Sequence, residues 1–185
     1  MAPSLIIFVA SAMQMLKIFA GVRFHNQQIV ILLRRRAPAK SIALSTFDSI
    51  KGPKMQFFIT DGFVNEAQKE EISSMISVKV STDYFLVRMN NLTCYNKQFN
   101  IRSANARGKV EMLMISLVTN KFPIQNAEKF FLKEADSFIA FLRGQDDASL
   151  LFHLEKDYDE EEQEGLGVVF EETLLRLKTM LERFS

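Results

Sequence analysis

Residues 41–60, SIALSTFDSIKGPKMQFFIT, contain two apolar-rich runs, 41–47 and 54–60, separated by turn-forming residues. Gly52 can adopt a positive φ, and Pro53 fixes φ near about −65° and has no backbone N–H. Two such runs about a turn predict a β-hairpin.

Three further strands and a helix are predicted after the hairpin. Residues 65–77 begin with the N-cap residue Asn65 and have apolar side chains at helical spacing, so a short helix is expected there. Strand-like runs follow at 84–89, 92–102 and 110–119. The last of these, VEMLMISLVT, is a dense apolar strand suited to the centre of a sheet.

Two helices are predicted in the last third of the chain. After Pro123, Asn126 is a candidate N-cap for a helix that carries an amphipathic stripe and ends at Gly144. Residues 145–164 hold nine acids and are predicted to be a surface connection, and 168–184 has the pattern of a final helix. The order β-β-α-β-β-β-α-α predicts an α+β fold, a five-stranded, mostly antiparallel sheet flanked by helices, over 41–185.

Residues 1–40 form a separate segment, basic and largely apolar. Residues 4–22 resemble a membrane span, which needs roughly 20 apolar residues, and Arg34, Arg35 and Arg36 would then mark the cytoplasmic side. A targeting presequence, an extra helix of the fold or a translated upstream stretch are alternatives, and a signal peptide lacks its positive n-region. The sequence does not decide between these alternatives and a membrane span.

The composition excludes several classes of function. The net charge is +1, but residues 55–185 carry fifteen bases and twenty-one acids, which argues against nucleic acid as a partner. The single cysteine, Cys94, excludes an internal disulfide and any multi-cysteine metal site, and a reducing compartment such as the cytoplasm fits. No nucleophile set, acid/base pair or cofactor fingerprint is present, so we expect no cofactor, no metal and no small-molecule chemistry.

Two further segments are weak candidates for a site. His153 lies in an apolar patch and is predicted to be a partly buried structural residue. Gly165 and Gly167 could cradle a phosphate before a helix, but the neighbouring glutamates would repel an anion.

The order of elements resembles the longin domain, and two short motifs resemble its DENN-related type, found in folliculin and the nitrogen permease regulator family. One is Phe47-Asp48-Ser49-Ile50-Lys51-Gly52-Pro53-Lys54, similar to the first hairpin turn of those domains, with Gly52 and Pro53 as structural turn residues. The other is Ala106-Arg107-Gly108 before the strand 110–119, similar to an Ala-Arg-Gly whose arginine acts as a finger in GTP hydrolysis. The likeness covers about 42–184, and because this sequence contains no second DENN-type domain after it, we expect no exchange-factor activity.

The resemblance implies an interaction module that regulates or scaffolds a small GTPase in membrane trafficking. It implies a second partner, a roadblock or longin domain protein, and Arg107 as the arginine-finger candidate, with no other catalytic activity in this chain. We expect a cytoplasmic protein, also at a membrane surface if residues 1–40 associate with lipid. The alternative is a membrane-anchored assembly subunit of a larger complex with no GTPase role.

Overall fold

The structure is a computed structural model. It describes residues 29–32, 39–48, 50–60, 62–104, 106, 108–120, 126–146, 148–153 and 160–184, with side chains described from residue 39 onward and, in the last helix, from residue 165.

One sheet organises these residues. Its strands are β1 (Ile29–Leu32), β2 (Lys40–Asp48), β3 (Gly52–Thr60), β4 (Tyr84–Met89), β5 (Leu92–Arg102) and β6 (Val110–Thr119). The α-helices are α1 (Glu66–Ser74), α2 (Ala127–Arg143) and α3 (Glu160–Arg183), and short 3-10 helices occupy Met75–Ser77 and Ala148–Phe152.

Five of the strands form an antiparallel sheet with β6 near its middle. The strand order is β1-β3-β2-β6-β5-β4, and β6 pairs along its whole length with β5 on one side and from Leu113 to Thr119 with β2 on the other. The predicted α+β class and five-stranded antiparallel sheet are confirmed. β1 adds a short sixth strand, parallel to β3, which we did not predict because its partner lies 28 residues away in sequence.

Alternate residues of the strands supply two hydrophobic layers. On one face, Ala43, Phe58 and Met114 pack with α1 and the first 3-10 helix. On the other face, Leu113, Ile115 and their neighbours pack with α2, α3 and the second 3-10 helix. This two-sided burial follows from the period of two in a β-strand, and it explains why β6 is apolar at nearly every position.

The β2–β3 hairpin combines a turn with a bulge. Gly52 has a φ of 83°, in the left-handed region, and Pro53 follows it at the start of β3. Between Leu44 and Ser45 the pairing with β3 shifts by one residue, which makes Gln56 the extra residue of a β-bulge. The bulged Gln56 side chain donates a hydrogen bond from Nε2 to the carbonyl of Leu151, 2.8 Å away, and so ties the sheet to the second 3-10 helix.

Of the two N-cap residues predicted from the sequence, one is confirmed. Asn65 caps α1 as expected, and a reciprocal bond between Gln68 and the Asn65 backbone completes a capping box. Asn126 precedes α2, but its φ is 67° and its side chain makes no capping bond, so the predicted cap is wrong.

The connection between α2 and α3 also differs from the prediction. It is not a surface connection throughout, because Ala148–Phe152 is a buried 3-10 helix of the core. α3 begins at Glu160, eight residues before the predicted start, and Gly165 and Gly167 lie inside it. Burial of Leu166 and Val169 against the sheet offsets the cost of about 1 kcal/mol for each helical glycine.

Most of the amino-terminal segment cannot be compared with its predictions. Residues 1–28 and 33–38, and with them the proposed anchor or targeting segment, lie outside the described residues. Among the helices of the described part, none is both long and apolar enough to cross a lipid bilayer.

The packing predicts a large effect for one aromatic side chain. Phe131 of α2 is fully buried, and its ring centroid lies 6.1 Å from that of Tyr95. We expect Phe131→Ala to lower the free energy of unfolding by about 3–5 kcal/mol, because the cavity cannot fill fully. Urea denaturation measures this, with the 63% exposed Leu175 replaced by Ala as the control and expected to change stability by less than about 0.5 kcal/mol. Equal losses in both variants would contradict the assigned core.

Candidate functional site at the loop end of the sheet

Three connections meet at one end of the sheet. Because β2 and β6 are antiparallel neighbours, with Thr46 opposite Leu113, the end of β2 lies beside the start of β6. The β2–β3 turn, the β5–β6 connection and the residues that follow α2 therefore converge there. We call the described residues of 48–52, 103–109 and 148–153 the loop end.

The β5–β6 connection is closed by hydrogen bonds among its own residues. The Ser103 amide donates to the Lys109 carbonyl at 3.0 Å, and the Lys109 amide donates to the Ala106 carbonyl at 2.9 Å. Ser103 Oγ accepts from the Ala106 amide at 3.1 Å. These bonds join Ser103, Ala106 and Lys109, which are described residues of the connection, to one another.

Arg107, the arginine-finger candidate, lies outside the described residues. Its neighbours Ala106 and Gly108 lie in the β5–β6 connection, and a Cβ added to Gly108 would meet no atom within 4 Å. There is therefore free space next to the Gly108 backbone. The other residues quoted for the resemblance, Gly52 and Pro53, lie at the same end of the sheet, on the neighbouring turn.

A buried carboxylate lies directly beneath this connection. Glu111 is the second residue of β6, faces the layer of α2 and α3, and is 6% exposed. Its Oε1 accepts a hydrogen bond from Ser103 Oγ at 3.2 Å and lies 2.5 Å from His153 Nε2. A carboxylate can only accept, so the imidazole nitrogen is the donor. Partners of this kind are required, because an unpaired buried carboxylate would be strongly destabilising.

His153 is held at the end of the second 3-10 helix. Its amide donates to the Leu150 carbonyl at 3.1 Å, and its side chain is 20% exposed. His153 is therefore partly buried, as the sequence predicted. The sequence did not reveal its pairing with Glu111, which is 42 residues away.

The β2–β3 turn adds a fixed negative charge. Asp48 Oδ1 accepts hydrogen bonds from the amides of Ile50 at 2.7 Å and Lys51 at 2.9 Å. These bonds lower the pKa of Asp48, with that from Lys51 having the larger effect, and the charges of Lys51 and His153 act in the same direction. The Ile50 side chain at the tip of the turn is 93% exposed.

Other polar groups of the described residues do not form a reactive site. The hydroxyls of Tyr84 and Tyr95 are buried without a hydrogen-bond partner, and burial raises the pKa of Tyr84 to about 12. In this part of the chain no three His, Cys, Asp or Glu side chains are arranged to hold a metal ion. The phosphate cradle that the sequence disfavoured at Gly165 and Gly167 has no helix start to form it, because both glycines lie within α3 and not before it.

No protein-family model matches the chain, and no curated protein matches it.

The turn predicts a pH-dependent contribution to stability. Asp48→Ala should lower the free energy of unfolding at neutral pH by about 1 kcal/mol, because two amides lose their acceptor. The folded-state pKa of Asp48 is below its ordinary value of 3.8, so the carboxylate stabilises the fold above that pH. This contribution should disappear as the pH falls through the folded-state pKa.

Urea denaturation of the wild type and Asp48→Asn at about pH 7 and about pH 3 tests this, since asparagine keeps an acceptor oxygen without titrating. The advantage of aspartate should shrink at the lower pH. An advantage that grows on acidification would contradict the assignment.

The single thiol is predicted to be inert in the folded chain. Cys94 is fully buried, and burial raises its pKa to about 12, with a smaller contribution from Glu71. Only the thiolate reacts, so labelling with a disulfide reagent at neutral pH should be roughly 1000-fold slower in the native chain than in urea. Stopped-flow absorbance measures both rates. Similar rates would show that the thiol is accessible.

Proposed function

We propose that the chain is a longin-type interaction module that regulates or scaffolds a small GTPase, with Arg107 supplied to the active site of that partner. The observation that supports the proposal is how the described residues of the β5–β6 connection, to which Arg107 belongs, are held. The connection joins two strands that pair up to Arg102 and Val110, and hydrogen bonds join Ser103 and Ala106 to Lys109. A finger arginine needs a short connection on a rigid support, since a misplaced cation loses most of its effect.

The layering of the fold supports the longin part of the proposal. From β2 onward the elements run β-β-α-β-β-β-α-α, apart from the two 3-10 helices. One helix covers one face of the sheet and two helices cover the other.

Exposed apolar side chains make the loop end suited to protein contact. Ile50 at the tip of the β2–β3 turn is 93% exposed, and Val110 at the start of β6 is 47% exposed. Large apolar side chains in solvent next to polar groups are typical of protein-binding surfaces. Both lie on elements that adjoin the Arg107 connection.

The outer edge of β4 supports binding of a second protein, the roadblock or longin partner of the proposal. On the opposite side of the sheet β1 pairs with β3, whereas β4 pairs only with β5 among the described strands. Strand addition at such an edge gives backbone hydrogen bonds without specific side chains.

The role proposed for Arg107 is electrostatic stabilisation of a transition state. In the partner, water attacks the γ-phosphorus of GTP, the bond from that phosphorus to the β–γ bridging oxygen breaks, and GDP and phosphate result. The planar guanidinium would stabilise the negative charge that develops on the transferring group and the leaving oxygen. The rest of the catalytic machinery, including Mg²⁺, belongs to the GTPase.

The proposal predicts that Arg107→Ala slows accelerated hydrolysis by about 1000-fold or more while the complex still forms. Single-turnover GTP hydrolysis by a panel of purified small GTPases, with and without the chain, measures the rate, and calorimetry measures binding. Arg107→Lys should also lose most of the acceleration, because an ammonium lacks the planar fork.

Arg102→Ala is the matched control, since Arg102 ends β5 at the same connection and is exposed. An unchanged rate in Arg107→Ala would remove the finger and leave a binding module. A chain that binds no member of the panel would overturn the GTPase role altogether.

A further inference from the structure

We propose that the part of β5 not covered by β4 binds an extended acidic segment of another protein as an added strand. β4 pairs with residues 92–97 of β5 and no further, whereas β5 continues to Arg102. We call residues 99–102 the open end of β5, because no described strand pairs with them on the side away from β6. The acidic segment is distinct from the second protein proposed at β4, and the inference does not depend on GTPase binding.

The backbone of the open end directs hydrogen-bonding groups away from β6. In an antiparallel sheet, the backbone N–H and C=O of alternate residues point to the same neighbouring strand. The Gln98 amide donates to the Asp83 carbonyl at 2.7 Å, on the β4 side, so the backbone groups of Asn100 and Arg102 face that side as well. An added strand can therefore pair with both residues and continue the line of β4 toward the loop end.

One of these backbone groups already binds a side chain. Arg143, the last residue of α2, donates a hydrogen bond from Nε to the Asn100 carbonyl at 3.0 Å. The carbonyl is thus accessible to a donor from outside the sheet. The bond uses one of the five N–H groups of the guanidinium, so others can bind a carboxylate beside the same edge.

Two arginines reach the open end from opposite faces of the sheet. Arg143 approaches from α2, whereas Arg102 lies on the α1 face, because its neighbour Ile101 belongs to the layer of α2 and α3. Both arginines are exposed, and so is Lys109 at the far side of the β5–β6 connection. A carboxylate-bearing strand placed between the two guanidinium groups would contact a cation on each of its faces.

The acids near the open end do not balance these cations. Glu111, the one acid of β5 and β6, is buried and hydrogen-bonded within the chain. The Asp83 carboxylate, just before β4, lies 3.4 Å from Lys97 Nζ. Asp146, which follows α2, is exposed and offsets one of the three cations. The charge at the open end therefore favours a negatively charged partner.

The positions of the two arginines predict the side-chain pattern of the added strand. Adjacent residues of a strand point to opposite faces, so the residue opposite Arg102 and its neighbour on the Arg143 side should both be acids. The next residue lies opposite Asn100, on the face that carries the half-buried Met112 and the 46% exposed Val78. An apolar side chain fits there. The geometry thus selects the pattern acid-acid-apolar.

Fluorescence anisotropy of the full chain with a labelled peptide of three Glu-Glu-Val repeats tests the proposal. We expect a Kd on the order of 100 μM, because only a few backbone bonds and two ion pairs are available. A peptide of Lys-Lys-Val repeats has the wrong charge, and a backbone N-methylated Glu-Glu-Val peptide lacks amide donors. Both should bind at least about 10-fold more weakly. No binding of the first peptide, or equal binding of the N-methylated one, would overturn the added strand.

Charge reversal tests the site on the chain. Arg102→Glu changes an exposed side chain, and it should weaken binding of the Glu-Glu-Val peptide about 10-fold and strengthen binding of the Lys-Lys-Val peptide. Arg143→Glu should act in the same direction. Lys133→Glu is the matched control, because this exposed lysine lies on α2 about 15 Å from Arg143 along the helix. Equal losses in Lys133→Glu and Arg102→Glu would indicate general charge attraction and overturn the site.

Amide exchange followed by NMR locates the bound peptide. With the Glu-Glu-Val peptide in excess, the Asn100 and Arg102 amides should exchange about 3- to 10-fold more slowly, as expected for the gain of a hydrogen bond. The Leu86 amide, in the middle of β4, should not change. Slower exchange in β4 without a change at Asn100 and Arg102 would place the peptide on β4 and overturn the proposal.

Discussion

The pairing of β6 on both sides is the constraint on which the rest of the structure depends. Hydrogen bonds to β2 and β5 fix its register, and alternate residues must then fill two different hydrophobic layers. α1 packs against one layer, and α2 and α3 pack against the other. The strand can therefore carry a charged group only where partners come from outside the sheet. Glu111 is that group, and its partners belong to the β5–β6 connection and to the segment between α2 and α3.

This constraint links stability to the candidate site. Glu111 and Ser103, which bond to each other and to the described part of the β5–β6 connection, are both buried. Buried polar side chains of this kind join a connection to the scaffold beneath it. The Gln56 bulge illustrates the arrangement, because one extra residue in β3 directs an amide toward the segment that ends in His153.

The sequence predicted the features that depend on local pattern. The apolar periods of β2 to β6, α1 and α2 were sufficient to place these elements, since each has a regular hydrophobic face. The misjudged features depend on contacts between distant residues. β1 is short and pairs with β3 across 28 residues, and the start of α3 is set by packing that outweighs its two glycines.

For the candidate site, the prediction of Arg107 rested on a family resemblance. The hydrogen-bonded pair of Glu111 and His153 was not predicted. A signal existed, because Glu111 interrupts an apolar strand on the same face as Leu113 and Ile115, but the identity of its partner required the fold.

The two edges of the sheet differ among the described residues. β1 pairs with Phe57–Thr60 and so covers the second half of β3, whereas β4 presents Tyr84–Met89 along the other edge. An uncovered strand offers its backbone N–H and C=O groups to another strand. A strand from a second protein is therefore expected to add at β4 and not beside the second half of β3.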